Sequence, residues 1–103
     1  MASNQLAQLQ LLSNVSANTT GSEFKASLGR GFTFYIEASG TPNATVKIQA
    51  KTPKGNWVDI DVQTVTSTDP IIIQDGDGQY IALRGLLLNY SSGTFDVTAT
   101  LTC

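Results

Sequence analysis

The chain has no histidine and a single cysteine, Cys103. The first absence excludes histidine-based catalytic triads and zinc sites with histidine ligands. The second excludes an intramolecular disulfide and a thiolate zinc site. Charge is also sparse: Asp, Glu, Lys and Arg make up 14% of the residues and the net charge is −2. That balance offers little to a phosphate backbone or an anionic lipid surface, so neither a nucleic-acid nor a membrane partner is expected. Long hydrophobic runs are missing. Runs such as those at residues 71–73 and 86–88 fall far short of the roughly 20 residues that span a bilayer. The opening stretch MASNQLAQLQLL has neither the basic start nor the apolar core of a secretory signal, so synthesis in a cytoplasm without export is expected. On that expectation the N-x-S/T sequons at Asn14, Asn18, Asn43 and Asn89 are by-products of an Asn- and Thr-rich composition.

What is present is alternation. Ala44, Val46, Ile48 and Ala50 interleave with Thr45, Lys47, Gln49 and Lys51; after Pro53, Lys54, Gly55 and Asn56, the residues Val58, Ile60 and Val62 interleave with Asp59 and Asp61. A period of two marks a strand with one face on a core and one in water, and two such runs around a short Pro/Gly/Asn loop predict a β-hairpin. The same period runs through Phe24, Ala26 and Leu28, through Phe32, Phe34, Ile36 and Ala38, and through Phe95, Val97, Ala99 and Leu101. Residues 71–73 and 80–88 add two apolar strands. Turn residues cluster at 18–22, 40–43, 75–78 and 89–93. About seven to eight short strands at this spacing predict one all-β domain over residues 1–103, an antiparallel β-sandwich that is jelly-roll-like or immunoglobulin-like. The immunoglobulin Cys…Trp…Cys framework is absent, and so is any internal repeat.

The first twelve residues are ambiguous. Leu6, Leu9 and Leu12 have helical spacing, whereas Leu9, Leu11 and Val15 fit a strand. We expect an extended arm over 1–12 whose leucines dock on a neighbouring molecule. Trp57 and Tyr35 fall by parity on outward faces, and Arg84 lies with Leu86 and Leu88 on a strand face too apolar to be free. These residues are the candidates for a partner or oligomer interface, since tryptophan and arginine are favoured anchors. Asp59 and Asp61 form a carboxylate pair of the kind used in glycoside hydrolysis, but on a solvated face. Asp75-Gly76-Asp77-Gly78 has the opening of a calcium loop without its later ligands, and reads as a hairpin turn. No enzyme activity, cofactor or metal is expected.

The hairpin ATVKIQAKTPKGNWVDIDV, with its V-x-x-Q-x-K-x-P-x-G-x-W pattern, is followed by a DGDG turn, a YIALRG strand and a closing GTFDVTATL. This order resembles the small β-sandwich virion proteins of tailed bacteriophages, of the head decoration or cement type, over roughly residues 32–101. The resemblance implies a non-enzymatic role: a protein on the head surface that stabilises the lattice of the major capsid protein and self-associates as a homotrimer. A head-fibre or tail-associated module is the alternative within virion proteins. A carbohydrate-binding module with Trp57, Tyr35 and Tyr90 as stacking platforms is the alternative outside them.

Overall fold

The computed structural model describes residues 5–26, 31–75 and 80–102. Among them are seven strands and no helix: β1 (Gln5–Val15), β2 (Thr19–Thr20), β3 (Phe24–Lys25), β4 (Gly31–Lys51), β5 (Trp57–Val65), β6 (Ile71–Asp75) and β7 (Ala82–Thr102). Every pairing is antiparallel. Met1, the remaining residues before Gln5, Leu28, the Gly76–Asp77–Gly78 part of the predicted turn and Cys103 lie outside the described residues.

Three tracks of chain organise the sheet. β7 pairs along nearly its whole length with β4, and on its other side with β1, then β2 and β3 in succession. These tracks fold across their middle. Leu11 stands near the register position of Val97, far along β7 from Gly85. Yet a Cβ placed on Gly85 would lie 3.1 Å from the Leu11 Cβ. A straight strand would hold such positions tens of ångströms apart at about 3.3 Å per residue. One sheet is therefore bent into two layers. The first layer runs β1, the later half of β7, the early half of β4, and β6; the second runs β2 with β3, the early half of β7, the later half of β4, and β5. Eight strand segments in this order are a jelly roll rather than an immunoglobulin sandwich.

The bends coincide with predicted turns. Gly40, Asn89 and Gly93 have positive φ there, and the register of β4 on β7 shifts between Ser39 and Thr45. The Tyr90 N–H donates to Asn18 Oδ1 at 2.9 Å. The Tyr90 hydroxyl donates to the Gly93 carbonyl at 2.9 Å, and the Ser92 hydroxyl donates to the Thr41 carbonyl. Gly93 is required twice over: its φ is +96°, and a Cβ would meet the Pro42 Cα at 2.6 Å.

The inward residues of both layers form one core. Phe32, Phe34, Ile36, Val46, Ile48, Leu83, Leu87, Phe95 and Val97 are each at most 2% exposed. The Phe32 ring stacks near Phe34 and tilts against Tyr80, with centroids 6.2 and 5.0 Å apart. Burying each such side chain contributes about 1.5–3 kcal/mol. No buried side-chain polar atom lacks a partner among the described residues, so this gain is not offset by orphaned groups.

Three expectations are corrected. Residues 5–12 are not a free arm: β1 pairs with β7 of its own chain, and Leu11 and Leu12 are core residues at 2% and 3% exposure. Bulges near Leu12 break the period of two, which lets two consecutive leucines face inward. The strand predicted from Phe24 is only two residues long among the described ones, although Ala26 is buried and its N–H donates to the Ile81 carbonyl at 3.0 Å. In β5 the simple alternation fails. Ile48 pairs with Asp61 and Gln49 with Asp59, leaving Ile60 as a bulge. Beyond it parity inverts: Val62 turns outward at 49% exposure, and Val58, at the open end of an edge strand, is 51% exposed.

Candidate interaction site

The outer face of the second layer carries a continuous row of side chains. Register places Gln49 between Asp59 on β5 and Arg84 on β7, and Lys51 opposite Trp57. All of these belong to the alternation that faces away from the core, so the strands fix their spacing and the side chains need only close short gaps. The Arg84 Nε donates to Gln49 Oε1 at 2.8 Å, and the Gln49 Nε2 donates to Asp59 Oδ1 at 2.7 Å. Lys47 Nζ stands 3.2 Å from Asp59 Oδ2. Gln49 thus uses both ends of its amide to join a cation to an anion. Asp59 titrates below the usual carboxylate range, first because Gln49 donates to it and then because Lys47 does.

Trp57 is half-buried and lies outside the core cluster. The Arg84 guanidinium carbon is 4.2 Å from its ring centroid, and Lys51 Nζ is 5.8 Å away. Such cation–π contacts contribute about 0.5–1 kcal/mol at an exposed site. They also hold the indole in place, so little side-chain freedom remains to be lost on contact with a partner. Lys51 reaches to Glu23 as well, at 3.1 Å.

Beside this row, between the Thr52–Gly55 turn and β3, lies an open cleft of about 570 Å3 walled by Glu23, Lys25, Lys51, Lys54 and Ile81. The turn is held by the Gly55 N–H on the Thr52 carbonyl at 2.9 Å and by the Asn56 N–H on the Thr52 hydroxyl at 3.0 Å.

The structure brings together two of the interface candidates, Trp57 and Arg84. Leu86 and Leu88 continue the outward row of β7; Leu86 is covered to 9% exposure and Leu88 is half-buried. Tyr35 stands on the outer face of the other layer, between Thr98 and Ile72. Leu9 packs against the core and Leu12 is inside it. The Leu6 side chain lies outside the described residues. Gln49, Lys47, Lys51 and Glu23 are the members that sequence reasoning missed. The outward parity of the first three was visible, but the exact hairpin register across the Ile60 bulge was not, and the contacts to Arg84 and Glu23 join strands distant in sequence. The three aromatics of the carbohydrate reading do not share a surface. Tyr35 and Trp57 lie on opposite layers, and Tyr90 packs edge-on against Phe95 at 6.3 Å within the bend. Asp59 and Asp61 no longer form a pair, because the bulge sends them to opposite faces.

No family model matches the chain, and no curated protein sequence does. Its fold is similar to that of YomS, a protein derived from the SPBc2 prophage: the TM-score is 0.71 at 16% identity, covering 94% of this chain and 92% of that one. It is also similar to PirA, with a TM-score of 0.60 at 17% identity over 97% of this chain and 95% of that one. At these identities the likeness is one of fold.

Proposed function

We propose that the chain is a non-enzymatic structural protein of a tailed-phage virion, a decoration protein that binds the outside of the expanded head and stabilises the lattice of its major capsid protein. The observation that carries this reading is the Trp57–Arg84–Gln49–Asp59 row, a pre-organised aromatic and charged surface on a rigid β face. Central tryptophan and arginine are the residues most enriched among contacts that dominate protein interfaces. The fold shared with a prophage-derived protein supports the virion setting.

The mechanism is thermodynamic. A protein that binds the expanded lattice and not its precursor stabilises the former by mass action, by about 2.7 kcal/mol per site at a hundredfold excess over Kd. Assembly as a homotrimer at junctions between capsomers would present three copies of one small surface. Linked contacts of that kind gain avidity without new chemistry.

The test is binding of the purified protein to empty expanded shells and to unexpanded precursors, both built from the major capsid protein of the same genome. Saturable binding to expanded shells alone is expected, weakened by Trp57→Ala. Failure on both removes the decoration reading. Binding to purified tails instead identifies a tail-associated module.

A further inference from the structure

The chain carries six basic residues and a net charge of −2, and the five that fall among the described residues are not spread over the surface. Lys25, Lys47, Lys51, Lys54 and Arg84 all stand on the second layer or its end turn, and the described residues of the first layer include none. Three of them, Lys25, Lys51 and Lys54, wall the cleft beside Trp57, whose apolar wall includes Ile81 at 45% exposure. A carboxylate already sits there. Glu23 places Oε1 at 3.1 Å and Oε2 at 3.3 Å from Lys51 Nζ.

We propose that this cleft binds an extended acidic peptide segment of a partner protein, with carboxylates taken by Lys25, Lys54 and Lys51 and a neighbouring apolar side chain resting on Ile81. The inference rests on reading this layer as the contact surface, and it adds the chemistry of the partner. Glu23 is an internal stand-in for the incoming carboxylate, and exchanging one exposed ion pair for another is close to neutral. The acquired contacts are then those to Lys25 and Lys54, whose side chains are exposed. A nucleic-acid backbone fits less well, because Glu23 and Asp59 interrupt the cations where phosphates would follow one another. Local charge complementarity with an apolar neighbour suits a protein segment.

The chain's one tryptophan, Trp57, is next to the cleft and reports on it. The probe is a capped peptide of glutamates alternating with leucines, titrated against Trp57 fluorescence. The same peptide with lysine for glutamate and a short DNA duplex are the comparators. The acidic peptide should bind saturably and more weakly as NaCl rises. Lys25→Glu with Lys54→Glu should weaken it about tenfold or more while far-UV circular dichroism stays unchanged. Glu23→Gln, which frees Lys51, should tighten it about two- to fivefold. No saturable binding, binding indifferent to the lysine reversals, or equal binding of DNA would each overturn the proposal. Shell binding without peptide binding defeats this inference alone. Peptide binding without shell binding supports it and defeats the decoration reading.

Discussion

Replacing Gly93 with alanine tests whether the bend that makes two layers from one sheet is as tightly fixed as its geometry indicates. Two terms add. At φ +96° a residue with a side chain is strained by about 1–3 kcal/mol. The new Cβ would also lie 2.6 Å from the Pro42 Cα, 3.1 Å from its Cβ and 3.2 Å from its nitrogen, against an optimum of about 3.5–4.0 Å between carbons. Pro42 is buried and its ring fixes its backbone, so the clash is relieved by moving strand against strand, at about 1–3 kcal/mol. Gly55 provides the control. Its φ is +89°, and nothing lies within 4 Å of a Cβ built there, so Gly55→Ala carries the backbone term alone. The expected losses are about 1–3 kcal/mol for Gly55→Ala and about 2–6 kcal/mol for Gly93→Ala. With a urea m-value near 1.5 kcal/mol/M, the unfolding midpoint falls by about 1–2 M and by about 1–4 M respectively. Circular dichroism is the suitable probe, because Gly55 is too close to Trp57 for fluorescence to be neutral. If the two variants unfold within about 0.5 kcal/mol of each other, the Pro42 contact is not a constraint and the account of the bend is wrong.

Phe95→Ala, at a fully buried site that also packs on Tyr90, should cost about 3–5 kcal/mol in the same urea experiment. Val46→Ala should cost about 2 kcal/mol and Val62→Ala under about 0.5 kcal/mol, since the bulge at Ile60 leaves Val62 in solvent; equal losses would return β5 to unbroken alternation. Because Asp59 titrates below its ordinary range in the folded chain, chiefly through the Gln49 hydrogen bond, its contribution is complete above the unfolded value near pH 4 and fades as pH falls through the lowered folded value. Gln49→Ala should move the Asp59 carboxyl titration upward in a carbon NMR pH series; an unchanged midpoint would remove the Gln49 contact as its cause.

The inward faces were legible in the sequence because burial acts on each strand locally. Phe32 through Ala38 and Ala44 through Ala50 keep strict alternation, and their even-numbered members face the core, fully buried except for the half-buried Ala38. Whether Gly40, Thr41, Pro42 and Asn43 end a strand or bend it was not legible. A bend and a turn ask for the same residues, and only continued pairing with β7 separates them. The leucines near the start were misread because bulges remove the period on which strand recognition depends. Of the candidate site, the outward parity of Trp57 and of Arg84 was readable. Their approach to 4.2 Å combines the hairpin register of β4 on β5 with the long-range register of β4 on β7, and no local pattern encodes the second.

The pairing of β1 with β7 also governs how the chain can be born. Val15 meets Phe95 and Gln5 meets Thr102, so β1 leaves the ribosome with no partner until the last strand follows. At about 5–20 residues per second that interval lasts on the order of 4–20 seconds. Throughout it Leu9, Leu11 and Leu12, which end against or inside the core, are exposed on an unpaired strand. The layered fold is thus closed only once β7 has emerged. Chains cut short before Phe95 would leave this leucine-bearing strand permanently open, a template for pairing with other chains.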